Sequence, residues 1–201
     1  MKKRASGVLM HITSLPGKQG VGTFGQEAYN FVDFLVETDQ TYWQILPLTT
    51  TSYGDSPYQS FSATAGNTHL IDLELLCKQG YLAKEDYETV NFGDDLENVD
   101  YARIFEARRP ILEKAVAEFM QSADNQKALA EFEKEATWVK DYAEFMAIKE
   151  FFGNLIFFCV FKICSTTCFD VIVVQHPFNR HTNMYHQHRN CHFTNAIIIF
   201  F

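Results

Sequence analysis

The 201-residue sequence lacks a long hydrophobic run and is poor in positive charge. No stretch reaches the roughly 18 consecutive apolar residues of a membrane-spanning helix, and no small-residue cleavage site follows the basic N-terminus. We therefore expect neither a membrane anchor nor a signal peptide. The formal net charge of -8 argues against a nucleic-acid partner, because phosphate binding needs clustered lysine and arginine. We expect a cytoplasmic protein that acts on an uncharged or small polar substrate.

Cysteine and acidic residues are unevenly distributed along the chain. Cys77 is the one cysteine before residue 150, whereas Asp170 is the one acidic residue after residue 150. The change in composition predicts two unlike segments. Residues 1–155 have the amino-acid composition of a globular domain. Residues 156–201 form a tail rich in Phe, Ile, Cys and His. We expect no clear fold in this tail and do not expect it to be a native domain.

The tail has two interpretations. Its potential metal ligands are plentiful, but none shows the C-x2-C spacing with a paired histidine set that zinc sites require, so no metal is expected. Those residues are Cys159, Cys164, Cys168, His176, His181, His186, His188, Cys191 and His192. The preferred hypothesis is that the tail was translated out of frame or past a splice junction. Sequencing of the nucleic acid near codon 155 would test it.

Two short apolar runs flank a helical pattern near the N-terminus. The runs are GVLMHI at 7–12 and TYWQIL at 41–46, and Pro47 ends the second because proline cannot continue a central strand. Between them, over 25–38, apolar residues recur at helical spacing: Ala28, Phe31, Val32 and Leu35. The pattern predicts a right-handed βαβ unit whose parallel strands are buried on both faces, and therefore an α/β sheet or barrel.

Two further apolar stripes predict helices downstream. The first begins after Asp100, a favourable N-cap residue, and includes Pro110, where a kink is expected. The second stripe covers 138–152. The acid-rich segment between 76 and 99 predicts mostly loop or short helix. We therefore interpret about 75–150 as a helical insertion on an α/β scaffold.

The loop after the first predicted strand is rich in glycine. Gly20, Gly22 and Gly25 form a G-x-G-x-x-G pattern, but the acidic residue of a dinucleotide-binding unit should follow the second strand, and Asp39 precedes it. We therefore prefer a tight turn leading into a helix and expect no cofactor.

The loop after the second predicted strand, residues 47–67, is long and rich in hydroxyl and aromatic side chains. Loops of this length are usually functional. Tyrosines such as Tyr53 and Tyr58 suit the apolar face of a pyranose, while Ser56 and Asp55 suit its hydroxyls. The alternative is an Asp-Ser-Pro turn with ordinary packing tyrosines, and both interpretations stay open here.

Three runs carry a resemblance to a known family: HITSLPGKQGVGTFGQEAY, YWQILPL and SYGDSPYQSFSATAGNTHLIDLELL. Over about residues 1–155 the chain resembles the N-terminal portion of the amylomaltase, or 4-alpha-glucanotransferase (disproportionating enzyme), family. The resemblance implies an α/β fold that is the truncated N-terminal part of a (β/α)8 TIM-type barrel with helical insertions. It also implies retaining, cofactor-free transfer of α-1,4-glucan or maltodextrin segments.

The family pattern assigns roles to residues of the second loop. It implies that Tyr58 stacks on the sugar at the donor side of the cleaved bond, that Ser56 hydrogen-bonds substrate and that Tyr53 helps form a secondary glucan-binding surface. Asp55 completes the set of candidate substrate-binding residues; as a catalytic acid it is disfavoured, because aspartate in such a turn commonly bonds its own backbone.

No catalytic residue is named from the sequence. Retaining transfer needs two carboxyl groups, which the family places on later barrel strands, and nothing in 156–201 resembles those strands. We therefore expect little or no transfer by these 201 residues. The alternatives are a non-catalytic glucan-binding fragment or an unstable truncated product.

Overall fold

Three short strands and five α-helices make up the regular structure of the described residues. The computed structural model describes residues 4–51, 54–95, 97–151 and 173–174. In chain order the elements are β1 Gly7–Leu9, α1 Gln26–Glu37, β2 Tyr42–Gln44, α2 Leu73–Lys78, α3 Tyr101–Phe119, α4 Ala123–Glu135, α5 Val139–Phe151 and β3 Val173–Val174. Short 3-10 helices lie at Ile12–Ser14, Thr68–Leu70 and Lys84–Asp86.

The predicted βαβ unit is present. β1 and β2 pair in parallel, with Gly7 opposite Tyr42, and α1 connects them. The ring of Phe31 on α1 meets Trp43 on β2 edge-on at a centroid distance of 4.9 Å, and Trp43 Nε1 donates to the Met10 carbonyl at 2.7 Å. The helical and strand periodicities of the sequence therefore give the correct local fold.

The prediction that both strands are buried on both faces is wrong. Val8 is half-buried, whereas its neighbours Gly7 and Leu9 are exposed, and Leu9 keeps 58% of its surface accessible. Because side chains alternate across a strand, this pattern means that one face of β1 is covered and the other is open among the described residues. An apolar run thus records hydrophobicity without fixing which element covers it.

The sheet is mixed rather than wholly parallel. β3 pairs antiparallel with β2, placing Val174 opposite Trp43, in the order β1-β2-β3. Apart from β3, the tail lies outside the described residues, as do its candidate metal ligands. The closed barrel remains a prediction.

The helices of the second half begin near the predicted positions. The Asp100 carboxylate caps α3 by accepting from the Arg103 amide at 3.0 Å, and Pro110 lies on an exposed position within the helix. α4 was not distinguished in the sequence; Ser122 caps it. The 3-10 helix Lys84–Asp86 is a short helix of the kind expected between 76 and 99, whereas α2 begins before that range and ends inside it at Lys78.

The segment 70–73 joins two apolar cores. Leu70 packs with Ile12, Leu15, Ala28 and Ile45 beneath the βαβ unit. The following residues pack under α3 in a second cluster: Ile71, Leu73, Leu76, Leu82, Phe92, Ile111, Leu112 and Ala115.

A buried polar network crosses the same junction. Asp72 accepts hydrogen bonds from Thr23 Oγ1 at 2.6 Å and from Gln19 Nε2 at 2.9 Å, and it caps α2 through the Leu75 amide at 2.8 Å. Gln19 Oε1 in turn accepts from Arg108 Nη1 at 3.3 Å. The glycine-rich loop, α2 and α3 are thereby tied together.

Arg108 is the buried charge of this network. It is 1% exposed, and its Nη2 donates to the Ile71 carbonyl. Burial lowers the pKa of Arg108 to about 10, and the Asp72 carboxylate opposes that shift. The guanidinium therefore stays protonated at neutral pH and needs these oxygen partners, because a buried unpaired charge is strongly destabilising.

The close packing of the glycine-rich loop yields a first prediction. A Cβ on Gly22 would lie 2.0 Å from the Ile12 carbonyl oxygen and 2.8 Å from the Leu15 amide nitrogen, both backbone atoms that cannot turn away. We expect Gly22→Ala to lower the free energy of unfolding by about 2 kcal/mol. Gly17→Ala is the control, since its nearest atom is the Val21 oxygen at an ordinary 3.5 Å. Equal unfolding midpoints in urea for the two variants would contradict the packing argument.

A second prediction concerns His69, which is partly buried near the rings of Tyr101 and Phe105. Burial, assisted by the charge of Arg108, lowers its pKa from 6.5 to about 4. The unfolded chain therefore binds a proton that the folded chain refuses, and stability falls as pH drops from about 6.5 to 4. We expect this group to remove on the order of 3 kcal/mol across that window.

Urea unfolding of the native chain and of His69→Gln over this pH range measures the effect. The variant should lose less stability than the native chain, because glutamine does not titrate. Parallel pH profiles for the two proteins would show that His69 is not the acid-sensitive group.

Candidate functional site

The two loops singled out in the sequence follow neighbouring strands. Residues 13–24 come after β1 and residues 47–67 after β2, and the two strands are parallel. Loops that leave the carboxyl ends of parallel strands share one edge of the sheet, where α/β proteins build their sites.

The glycine-rich loop serves structure. Gly25 is the N-cap of α1, and a Cβ there would lie 2.2 Å from Asp72 Oδ2. The chain's own carboxylate therefore stands against this helix start, where a dinucleotide would place its negative pyrophosphate. Gly20 adopts a left-handed φ of +74° against the Phe92 backbone. These contacts favour the tight-turn interpretation.

The base of the second loop is closed by backbone hydrogen bonds. The Asn67 amide donates to the Leu48 carbonyl at 2.9 Å, and the Thr50 amide donates to the Ala65 carbonyl at 3.1 Å, on either side of the Thr49–Gly66 bridge. Leu48 and Ala65 are partly or fully buried. The loop therefore leaves the sheet from a fixed base, and only its outer part projects.

The outer part carries a tight turn with three of the four candidate residues. The Gln59 amide donates to the Ser56 carbonyl at 2.9 Å, and the Tyr58 amide approaches the Ser56 Oγ at 3.4 Å. Asp55 enters the turn with a left-handed φ of +54°. The structure thus brings Asp55, Ser56 and Tyr58 together, while Tyr53 lies outside the described residues.

The turn presents an exposed aromatic ring beside polar groups. The Tyr58 side chain keeps 57% of its surface exposed, although tyrosine has a large apolar ring. Partial burial raises the pKa of Asp55, and a hydrogen bond from the Thr51 hydroxyl opposes that rise. An accessible ring, a hydroxyl and a carboxyl within four residues offer both an apolar platform and hydrogen-bonding groups to a polar ligand.

Sequence reasoning missed the contacts that hold the turn from outside. The ring of Phe61 stacks on Tyr142 of α5 at a centroid distance of 6.5 Å and tilts against Phe145 at 5.6 Å. The Nζ of Lys149 lies 4.3 Å from the centroid of Phe61. The signal available in the sequence was the spacing of these α5 residues, which places them on one helical face.

The structure bears on the metal and membrane predictions only over the residues that it describes. In the described ranges, no three His, Cys, Asp or Glu side chains gather as metal ligands. None of the helices α1 to α5 is both long and apolar enough to cross a bilayer.

Comparison with known proteins gives consistent matches. The family model for 4-alpha-glucanotransferase, glycoside hydrolase 77, matches residues 10–158. The 4-alpha-glucanotransferase of Streptococcus pneumoniae serotype 4 is 62% identical over 155 residues, which are 77% of this chain and 31% of that protein. The Thermus thermophilus 4-alpha-glucanotransferase is 48% identical over 155 residues, or 76% and 30% of the two chains.

A solved structure agrees. The amylomaltase of Streptococcus agalactiae, determined in complex with acarbose, is 68% identical with a TM-score of 0.74, and the match covers 76% of this chain and 31% of that one. The chain spans about a third of the length of the relatives it matches. Its amylomaltase resemblance is confirmed, and the chain belongs to the 4-alpha-glucanotransferase family.

Proposed function

We propose that this chain supplies part of the α-1,4-glucan-binding surface of a 4-alpha-glucanotransferase. Tyr58 stacks on a glucose ring at the donor side of the cleaved bond, while Ser56 and Asp55 hydrogen-bond its hydroxyls. Tyr53 contributes to a secondary glucan-binding surface. The observation that carries the proposal is the Tyr58 ring, 57% exposed on a turn with a fixed base.

The chemistry of the turn supports a sugar ligand. A tyrosine ring matches the apolar face of a pyranose, and stacking would remove exposed apolar surface from water. The Ser56 oxygen faces the Tyr58 amide, which leaves its O–H free to donate. The Asp55 carboxylate has more acceptor positions than Thr51 occupies. Sugar hydroxyls both donate and accept, so they fit this pair.

The relatives support the same substrate class. Those that match are named 4-alpha-glucanotransferases, and the Streptococcus agalactiae amylomaltase binds acarbose, a glucan-like inhibitor. We assign to the whole protein the transfer of a segment of an α-1,4-glucan to an acceptor glucose or glucan, on a (β/α)8 barrel.

The proposed mechanism is retaining double displacement. One carboxylate forms a glycosyl-enzyme while a second protonates the leaving oxygen and then activates the acceptor hydroxyl, the two lying roughly 5 to 5.5 Å apart. We place neither group in residues 1–155. In the 201-residue chain the proposed role is therefore binding, with little or no transfer, in a cytoplasmic setting and without a cofactor.

A third prediction tests the stacking role. Tyr58→Ala should weaken binding of maltoheptaose to the 201-residue chain about tenfold, because the aromatic platform is lost. Tyr58→Phe is the matched control and should bind within about threefold of the native chain, since the ring remains. Isothermal titration calorimetry measures both. Native-like affinity in Tyr58→Ala would show that Tyr58 does not contribute to glucan binding.

A fourth prediction separates binding from catalysis. Incubated with maltotriose, the purified chain should yield no longer maltodextrins, because the carboxylate pair is assigned elsewhere. Chromatography measures the maltodextrin products, with the Streptococcus pneumoniae 4-alpha-glucanotransferase as the positive control. Longer products abolished by Tyr58→Ala would show that the chain is itself a transferase.

The second candidate function is a non-catalytic glucan-binding fragment. It rests on the same exposed Tyr58. For this chain it predicts the same maltoheptaose binding, weakened in Tyr58→Ala, and the same lack of product from maltotriose, and it differs in assigning no role in transfer. An unstable truncated product is the remaining alternative, and it predicts no cooperative unfolding transition.

A further inference from the structure

The tip of the loop 47–67 is weakly secured by its own hydrogen bonds. Ser60 Oγ donates to the Ser62 carbonyl at 2.6 Å, and the Ala65 amide donates to Ser62 Oγ at 2.9 Å, so these bonds begin and end within the loop. The turn is also formed from its own backbone, between Gln59 and Ser56. Such bonds shape the loop without fixing its direction relative to the sheet.

A different set of contacts ties the loop to α5. Phe61, three residues after Tyr58, stacks nearly parallel to Tyr142, with an angle of 11° between the rings. The side chain of Thr50 also hydrogen-bonds the Tyr142 hydroxyl. Tyr142 therefore contacts the loop on both sides of the turn, at Thr50 before it and at Phe61 after it.

One face of α5 surrounds Phe61. Tyr142, Phe145 and Lys149 are spaced by three and four residues and all three are partly buried, whereas the intervening Ala143 and Glu144 are exposed. Phe145 tilts against the ring at 5.6 Å, and the ammonium of Lys149 lies 4.3 Å from its centroid. Burial lowers the pKa of Lys149, because removal from water disfavours the charged ammonium.

α5 is itself held by the rest of the fold. The Trp138 ring, just before α5, packs on Tyr142 at 6.0 Å and on Phe132 of α4 at 6.4 Å. Arg109 of α3 forms an ion pair with Glu150 near the end of α5. α5 is thus linked to α4 through Trp138 and to α3 through the Arg109–Glu150 ion pair.

We propose that Tyr142, Phe145 and Lys149 form a clamp on Phe61 that positions Tyr58 for stacking on the glucan. The inference rests on the proposed function and adds positioning residues on α5 that act on Tyr58 through Phe61. The clamp reduces the conformational freedom of the turn before the ligand arrives, and preorganisation of this kind increases affinity without a new ligand contact.

Binding measurements on the 201-residue chain test the clamp with maltoheptaose as the probe. Tyr142→Leu and Phe61→Leu each remove one ring of the stacked pair and should raise Kd about tenfold. Tyr142→Phe keeps the stacking and loses only the bond to Thr50, so it should remain within about threefold of the native value. The double variant Phe61→Leu/Tyr142→Leu should bind no more weakly than the weaker single variant, because both act through one contact.

Tyr81→Leu is the control for general loss of aromatic packing. Its ring packs on Phe119 at 5.4 Å in the core beneath α3, away from the loop. This variant should lower the thermal midpoint while leaving Kd unchanged. If Tyr142→Leu does not fold, Phe61→Leu carries the test from the loop side. Native affinity in folded Phe61→Leu, or equal weakening in Tyr81→Leu, would overturn the clamp.

Hydrogen exchange separates the clamp from the proposed function. In ligand-free protein, the amides of Gln59 and Ala65 should exchange about tenfold faster in Phe61→Leu than in the native chain or Tyr81→Leu. Unchanged exchange would overturn the clamp even where glucan binds. If exchange is faster in Phe61→Leu but the native chain does not bind maltoheptaose, the proposed function is refuted while the clamp on the turn is supported.

Discussion

The burial of the Arg108 guanidinium is the constraint on which the described structure depends. A charge that is 1% exposed is tolerated only with close oxygen partners, and here these are Gln19 Oε1 and the Ile71 carbonyl. One partner lies in the glycine-rich loop after β1, and the other lies just before α2. The free energy needed to satisfy one helical arginine therefore sets the relative positions of the glycine-rich loop, α2 and α3.

The same network bears on the loop 47–67 through chain connectivity. Residues 47–67 end at Asn67, whose amide closes the base of the loop on Leu48, and five residues later the chain reaches Asp72. Asp72 is fixed by Thr23 and Gln19. The C-terminal end of the loop thus leads directly to the hydrogen-bonded Asp72, whereas the tip of the loop depends on contacts to α5. The two ends of the loop are secured by different chemistry, charge-assisted bonds at one and aromatic packing at the other.

Local features of the sequence were enough for the βαβ unit, for the start of α3 at Asp100 and for the grouping of Ser56 with Tyr58, because each depends on residues close in the chain. Contacts between distant residues were out of reach. Gln19 and Arg108 are 89 positions apart, and periodicity gives no reason to pair them. A signal was present, since Arg108 interrupts the apolar stripe of Ile104, Ile111, Leu112 and Ala115 at a core position. The openness of one face of β1 was likewise not predictable, because hydrophobicity does not identify the element that covers it.

The conformation of the turn explains why anchoring matters. Gly54 and Asp55 have φ values of +93° and +54°, so two successive residues occupy the left-handed region. Glycine adopts it readily, and aspartate tolerates it better than most residues, but an unanchored loop would also populate extended conformations at both positions. Keeping the left-handed pair therefore requires restraint on both sides. The backbone bonds of the loop base act before the turn, and Phe61 packed on α5 acts after it. Restraint of the backbone on both sides limits the positions that the exposed Tyr58 side chain can reach.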